Sequence, residues 1–219
     1  MRCWSCHESA PAGDRCPACG RLQPFEEGGD HWSRLGLPRR LSLGGEELEA
    51  RFHALNRRFH PDYYQRRSER EQAISLENSA AVNVAYRTLR DPIARVEYLL
   101  GLMGMPLEGG QGQPPAELFE EIMELQELLQ EYREARARGD GAELERRLAA
   151  DRADLEVRKA EVESRLFGLY PRWDELAERD GEASRGLLGE MRTLLATRAY
   201  LRTILRDLDE VLGTAERTE

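Results

Sequence analysis

Four cysteines near the start of the chain have the types and spacing of a metal site. They are all the cysteines of the chain and form two Cys-x-x-Cys pairs, Cys3/Cys6 and Cys16/Cys19. Each pair can present two thiolates from one tight turn, and two such turns supply the four sulfur ligands of a structural zinc ion. We therefore predict that these four residues bind zinc.

Two disulfides or a redox pair are the alternatives for the same cysteines. A redox Cys-x-x-Cys precedes a helix in a strand–helix unit, which this sequence lacks. Four thiolates leave no open coordination position, so a catalytic zinc is not expected. We predict that His7 is a surface residue rather than a ligand. The sequence does not decide whether two chains form a homodimer through the zinc site.

A second group that could do chemistry is His60-Pro61-Asp62. It follows a predicted amphipathic helix whose apolar stripe has four-, three- and four-residue steps: Leu48, Phe52, Leu55 and Phe59. Pro61 ends that helix, because its ring disfavours helical geometry at the preceding residue and its nitrogen has no hydrogen to donate. Alone, the tripeptide is either an acid–base pair or a helix stop.

Cationic residues lie off this stripe, and they give the helix a basic exposed side: Arg51, His53, Arg57 and Arg58. A second helix follows a short polar loop, and we predict that it packs antiparallel on the first. Its predicted packing face consists of Ile74, Ala81, Val84, Ala85 and Leu89.

This arrangement of helix, His-Pro-Asp loop and helix, continued by "AYRTLRDPIARVEYLL", resembles a J-domain, the module that activates DnaK-type chaperones. The forms "VNVAYRTLRDP" and "RVEYLL" resemble the HscB family, the J-domain co-chaperones of iron–sulfur cluster assembly. "CWSC…CPACGRLQPF" is similar to the cysteine-rich N-terminal extension of the eukaryotic, mitochondrial-type members. The resemblance covers the chain from Cys3 to about Leu212.

The predicted fold is mainly all-α, with a small zinc-binding knuckle, a helical J-domain and a C-terminal antiparallel three-helix bundle. Three long amphipathic segments carry the bundle prediction, at residues 116–138, 142–168 and 184–212. The predicted division is a tetracysteine module at 1–24, a linker at 25–30, the J-domain at 31–104, a linker at 105–115, the bundle at 116–213 and a tail at 214–219.

The resemblance also implies two sets of contact residues. The chaperone-binding set is His60, Pro61, Asp62, Arg57 and Arg58. Tyr63 stands where many J-domains have lysine. The segment "LFEEIMELQELLQEY" looks like the helix that grips the iron–sulfur scaffold protein. The scaffold-binding set is Phe119, Met123, Glu124, Glu127, Glu131 and Tyr200, in which the three glutamates share one helix side.

Charge and composition restrict the function. The net charge is −9. Acidic and basic residues are equal in number within residues 1–110, and the excess of acidic residues lies in the second half, which is untypical of a nucleic-acid binder.

No apolar run approaches the roughly 20 residues that cross a membrane. The Met1 start and the single lysine, Lys159, lead us to expect an uncleaved bacterial protein of the cytoplasm. The alternative location is the mitochondrial matrix.

The sequence therefore predicts a co-chaperone rather than an enzyme. It would stimulate ATP hydrolysis by a DnaK/HscA-type chaperone and deliver an IscU-like iron–sulfur scaffold to it. A J-domain protein for a different client is the main alternative. A zinc-ribbon nucleic-acid module and an acid–base enzyme using His60 and Asp62 are further alternatives; against the enzyme, no nucleophile motif or phosphate loop accompanies the pair.

Overall fold

The computed structural model describes residues 2–9, 13–107, 116–176 and 181–213, without the side chains of 116–119, 122 and 181–183. Its described helices are α1 (His31–Leu35), α2 (Gly45–Phe59), a 3-10 helix (Pro61–Tyr64), α3 (Glu69–Arg90), α4 (Pro92–Leu102), α5 (Ala116–Arg138), α6 (Ala142–Gly168), α7 (Tyr170–Leu176) and α8 (Gly181–Leu212). The mainly all-α prediction is therefore confirmed. The chain divides into two compact units, Met1–Arg95 and Val96–Glu219.

In the first unit, α2 packs along α3 and the short helix α1 packs against both. Trp32, Phe59, Ile74 and Leu89 are almost fully buried in this core. The antiparallel hairpin of α2 and α3 agrees with the predicted stripe. Val84, however, was placed wrongly, because it is 52% exposed.

Val84 lies off the buried face of α3, which runs through Asn78, Val82, Ala85 and Leu89 and also includes polar residues. Glu71, Ser75 and Asn78 are each at most 2% exposed. The Ser75 hydroxyl donates to the carbonyl of Phe59 at 2.7 Å. This buried bond ties the end of α2 to α3, since a buried polar group needs a partner.

Residues 22–30 run from the cysteine-rich segment to α1 along the α2–α3 hairpin. Leu22 is fully buried, and the ring of Phe25 meets that of Phe59 edge-on with a centroid distance of 5.4 Å. Asp30 caps α1 by accepting the Ser33 N–H at 2.7 Å. The cysteine-rich segment is thereby attached to the helical part of this unit at several points.

In the second unit, α5, α6 and α8 pack on one another around one apolar cluster. Its buried members include Leu125, Leu129, Tyr132, Leu148 and Leu208. A single turn at residues 139–141 joins α5 to α6, so the two helices run in opposite directions. The predicted helical bundle is present in the described residues.

Candidate functional site

The two Cys-x-x-Cys pairs form two copies of the same turn. The His7 N–H donates to the Cys3 carbonyl at 3.1 Å, and the Gly20 N–H donates to the Cys16 carbonyl at 2.8 Å. His7 and Gly20 both have left-handed backbone angles, with φ values of 62° and 71°. His7 therefore occupies the position for which glycine is usually chosen.

The similarity between the turns extends to their flanks. Single antiparallel bridges pair Arg2 with Ser9 and Arg15 with Leu22, thirteen residues further along in each case. The Trp4 indole N–H donates to the Leu22 carbonyl at 2.6 Å and so joins the first turn to the flank of the second. This internal repeat is hard to recognise from the sequence, because within residues 2–9 and 15–22 only the arginines Arg2 and Arg15 and the cysteines are identical.

The four Sγ atoms lie within 4.8 Å of one another. The Cys3–Cys19 and Cys6–Cys16 pairs are both 3.7 Å apart. A zinc–sulfur distance of about 2.3 Å places the sulfurs of a tetrahedral site about 3.8 Å apart, so the cluster has the right size for such an ion. These four cysteines fit a metal ion, as predicted.

Cys3 and Cys6 differ in how readily their thiols ionise. Burial raises the pKa of the Cys3 thiol, but the N–H groups of Cys6 and Ser5 and the neighbouring thiols outweigh it and lower the pKa to about 6. The Glu8 N–H lowers the pKa of Cys6, but burial and the other thiols raise it to about 12. Four thiolates this close repel one another, so full ionisation requires a bound cation.

The His-Pro-Asp corner lies at the end of α2. His60 Nδ1 accepts from the Asp62 N–H at 3.4 Å, and Pro61 begins the 3-10 helix. The His60 and Asp62 side chains are 49% and 69% exposed. Tyr63 is 70% exposed, with its ring edge-on to His60 at 6.1 Å. The corner is thus open to solvent.

The structure separates the two predicted arginines of α2. Arg57 lies beside His60, Asp62 and Tyr63 around a shallow hollow at the corner. Arg58 points the other way, where its guanidinium forms an ion pair with Asp14, between the two cysteine pairs. Arg57 is therefore exposed at the corner, whereas the charge of Arg58 is partly neutralised.

Most residues of the predicted scaffold-binding set lie on one exposed face of α5. Met123 is 49% exposed, and Glu124, Glu127 and Glu131 are exposed as well. The apolar cluster is contacted from the opposite side of the helix. Tyr200 is partly buried on α8, and the side chain of Phe119 lies outside the described residues.

In the described part of the chain, no helix has the length and apolar character needed to cross a membrane.

No family model matches the chain. The Vibrio parahaemolyticus "Co-chaperone protein HscB homolog" is 33% identical over 163 residues, which are 74% of this chain and 84% of that protein. The mouse "Iron-sulfur cluster co-chaperone protein HscB" is 35% identical over 133 residues, 58% of this chain and 57% of that protein.

Other curated bacterial relatives are 41% identical, and the chain spans only 60% of their length. Among solved structures, the human co-chaperone protein HscB matches with a TM-score of 0.69 and 26% identity. That match covers 96% of this chain and 98% of the human one. The similarity therefore extends over both compact units.

Proposed function

The chain belongs to the HscB family of co-chaperones, and from this premise we propose that it stimulates ATP hydrolysis by a DnaK/HscA-type chaperone and brings an iron–sulfur scaffold protein to it. The observation that carries the proposal is the solvent-open His60-Pro61-Asp62 corner, which follows a helix whose last turn carries Arg57 and Arg58. The names of the relatives, one of which refers to iron–sulfur clusters, support the same role. The protein would act by binding, without catalysis of its own.

At the chaperone contact, the corner supplies shape and charge. The Asp62 carboxylate is mostly exposed and would accept a charge-assisted hydrogen bond from a partner arginine, typically worth about 1.5–3 kcal/mol. His60 and Pro61 keep the loop in one conformation. Arg57, beside them, would attract an acidic partner surface, an effect expressed mainly in the rate of association.

The scaffold contact would use α5. An exposed apolar side chain ringed by charge is a common arrangement at interfaces, where the apolar group is the anchor and the charges orient the encounter. Met123 with Glu124, Glu127 and Glu131 has this composition. We propose Phe119 and Tyr200 as further contacts. The proposed domains at 31–104 and 116–213 would thus each hold one partner.

Zinc is the metal we propose for the cysteine site, because four thiolates in tetrahedral array favour it. The ion would supply folding energy to the module through Cys3, Cys6, Cys16 and Cys19, with no reaction taking place on it. Elemental analysis of the purified chain should give about one zinc per chain. Our proposed location is the bacterial cytoplasm, and we propose no nucleic-acid or membrane partner.

The deciding experiment measures the steady-state ATPase rate of a DnaK/HscA-type chaperone with this protein, with and without an IscU-like scaffold. We expect stimulation that rises further with scaffold and is lost in His60→Gln. Arg57→Ala should raise the concentration for half-maximal stimulation several-fold, whereas Arg87→Ala, which removes an exposed charge from α3, serves as its matched control. Urea unfolding confirms that each variant is folded.

The outcomes separate the two parts of the proposal. Stimulation without a scaffold effect would keep the J-domain role and indicate a different client. Absence of stimulation with several chaperones tried, by a folded and zinc-loaded sample, would refute the co-chaperone function.

A further inference from the structure

Arg15 connects the second cysteine turn to the residues that follow the His-Pro-Asp corner. One arm of its guanidinium donates to the Gly20 carbonyl at 3.2 Å. The other arm donates to the Tyr64 hydroxyl at 2.9 Å, and the guanidinium carbon lies 5.9 Å from the centre of the Tyr64 ring. A single side chain therefore bonds to the metal-binding turn and to the 3-10 helix that begins at Pro61.

Tyr64 is in turn bonded to α2. It is buried, with 3% of its surface exposed, and its hydroxyl donates to the Arg58 carbonyl at 3.0 Å. The residues on either side of the corner are thus joined to each other and, through Arg15, to the cysteine turn. The two bonds made by the Tyr64 hydroxyl are partly buried, and this screening from water strengthens their hold on the corner.

A second connection runs parallel to the first. The Asp14 carboxylate, 17% exposed, forms an ion pair with the Arg58 guanidinium on the last turn of α2. Asp14 and Arg15 are neighbours, and the next residue is the metal ligand Cys16. Both connections are therefore made by residues that directly precede Cys16 in the chain.

We expect the segment that holds Asp14 and Arg15 to depend on a bound metal for its own order. Its buried cluster consists of Cys3 and Cys16, with Cys6 packed against them. So few apolar groups cannot offset the conformational entropy of a segment this long, which is why small modules of this kind fold around a metal. Loss of the ion is thus expected to release Asp14 and Arg15.

We propose that the tetracysteine module is a metal-dependent positioning element for the His-Pro-Asp corner, in which Asp14 and Arg15 are the positioning residues. With metal bound, they fix Arg58 and Tyr64 and hold the corner in its binding conformation. Without metal, the corner samples more conformations and a partner must order it, at a cost in affinity. The effect on a chaperone rests on the proposed function, whereas the coupling inside this chain does not.

The first test needs no partner. Coupling between two sites is reciprocal, so if metal orders the corner through Arg15 and Tyr64, loss of the bond between them must weaken metal binding. We expect Tyr64→Phe, which removes the hydroxyl that Arg15 bonds, to weaken zinc binding by about fivefold in competition with a chelator, the effect of one hydrogen bond. Tyr63→Phe is the matched control and should leave zinc binding unchanged. Equal zinc affinities for the two variants would overturn the proposal.

The second test follows the corner by amide hydrogen exchange in the full chain. The reporters are the Tyr63 N–H, bonded to the His60 carbonyl at 3.1 Å, and the Arg67 N–H, bonded to the Tyr64 carbonyl at 2.8 Å. Arg15→Ala in zinc-loaded protein should accelerate both about fivefold, and removal of zinc from wild type, which releases Asp14 as well as Arg15, should accelerate them at least as much. Arg2→Ala removes an exposed charge from the same module and should change neither.

Hydrogen exchange of the Arg15→Ala variant without zinc shows whether the two changes act through the same contact. If Arg15 links the metal site to the corner, Arg15→Ala in zinc-free protein adds little to the effect of zinc removal, because zinc removal has already released Arg15. Fully additive effects would overturn the proposal, as would exchange rates that ignore both changes.

With a chaperone present, the same variants separate this inference from the proposed function. Arg15→Ala should raise the half-maximal concentration about fivefold while the maximal ATPase rate stays the same. Wild type that stimulates equally with and without zinc, at the same half-maximal concentration, would overturn the positioning role alone. Wild type that does not stimulate at all would refute the proposed function, while the exchange and zinc measurements would still decide the coupling.

Discussion

The buried side chain of Asn78 on α3 accepts a hydrogen bond of 3.2 Å from the backbone N–H of Phe25. Its amide nitrogen donates to the carbonyl of Gln23 at 2.9 Å. One side chain thus satisfies two backbone groups of the segment that leads from the cysteine module to α1. Because 53 residues separate Phe25 from Asn78, the pairing exists only once the tertiary fold has formed.

The first prediction concerns this bond pair. Asn78→Ala should lower the free energy of unfolding by about 2–3 kcal/mol, because two bonds are lost and the groups left behind are buried. Asn83→Ala is the matched control on the same helix: its side chain bonds only to the Ser79 carbonyl one turn earlier, and it should cost about 0.5 kcal/mol. Urea unfolding of both variants measures the difference. If the two variants lose similar free energy of unfolding, the Asn78 bonds to Gln23 and Phe25 do not contribute the expected stability.

The second prediction concerns His7, which has a φ of 62°. For a residue with a Cβ, backbone strain at positive φ destabilises the folded state by roughly 1–2 kcal/mol. Glycine has no such strain, and its cost is only the larger conformational entropy that it loses on folding. His7→Gly should therefore stabilise the zinc-loaded protein slightly, by about 0.5 kcal/mol, and His7→Val should destabilise it by more than 1 kcal/mol, since a β-branched residue is a poor fit at positive φ.

The His7 variants also test the ligand set. His7→Gly should keep one zinc per chain, because four sulfurs already complete a tetrahedral site. Thermal unfolding and elemental analysis give the two readouts. Loss of zinc from His7→Gly would show that the imidazole contributes to binding.

Much of this architecture could be predicted from local patterns. The stripe of α2 and its stop at Pro61 predicted a helix that ends at Phe59, as found, because amphipathic spacing and proline act over a few residues. The Cys-x-x-Cys spacing was equally informative for the metal site. Both patterns are short-range, and for that reason they can be read without the fold.

The errors and omissions arose where contacts are long-range. Val84 was expected on the packing face of α3, but Glu71, Ser75 and Asn78 share that face with apolar residues. Glu71 is buried because Arg21 pairs with it from fifty residues away. A glutamate in an amphipathic pattern is ordinarily read as exposed, so no local signal could have revealed this burial or the Asp14–Arg58 pair.

The third prediction concerns pH. Burial raises the pKa of the Asp30 carboxyl, but the Ser33 N–H and the Arg39 guanidinium, whose Nε donates at 2.8 Å, outweigh it and leave the pKa lowered. A carboxyl with a lowered folded pKa contributes stability above its unfolded pKa of about 3.9, and loses it as the pH falls through the folded value. This contribution is therefore complete at pH 7.

Asp30→Asn keeps a capping oxygen but removes the charge, so at pH 7 it should be less stable than wild type by about 1 kcal/mol. The difference should shrink below about pH 4 and vanish once the wild-type carboxyl is protonated. Urea unfolding at several pH values measures it. Arg39→Gln should reduce the pH dependence of wild type; a difference that grows as the pH falls would contradict the assignment.

The last prediction concerns the exposed face of α5. Met123→Ala should weaken binding of an IscU-like scaffold about tenfold, because removal of an apolar anchor from the centre of an interface typically costs 1 kcal/mol or more. Its effect on the free energy of unfolding should be small, since the side chain is already 49% exposed. Calorimetric titration of scaffold into each variant gives the affinities.

Val157→Ala is the matched control, because it shortens an exposed apolar side chain, 60% accessible, on α6. It should bind the scaffold as tightly as wild type. Glu127→Gln supplies an independent check: loss of one rim charge should mainly slow association and weaken its dependence on salt. If Met123→Ala and Val157→Ala bind equally well, α5 does not present the anchor, and the scaffold must contact another face of the bundle.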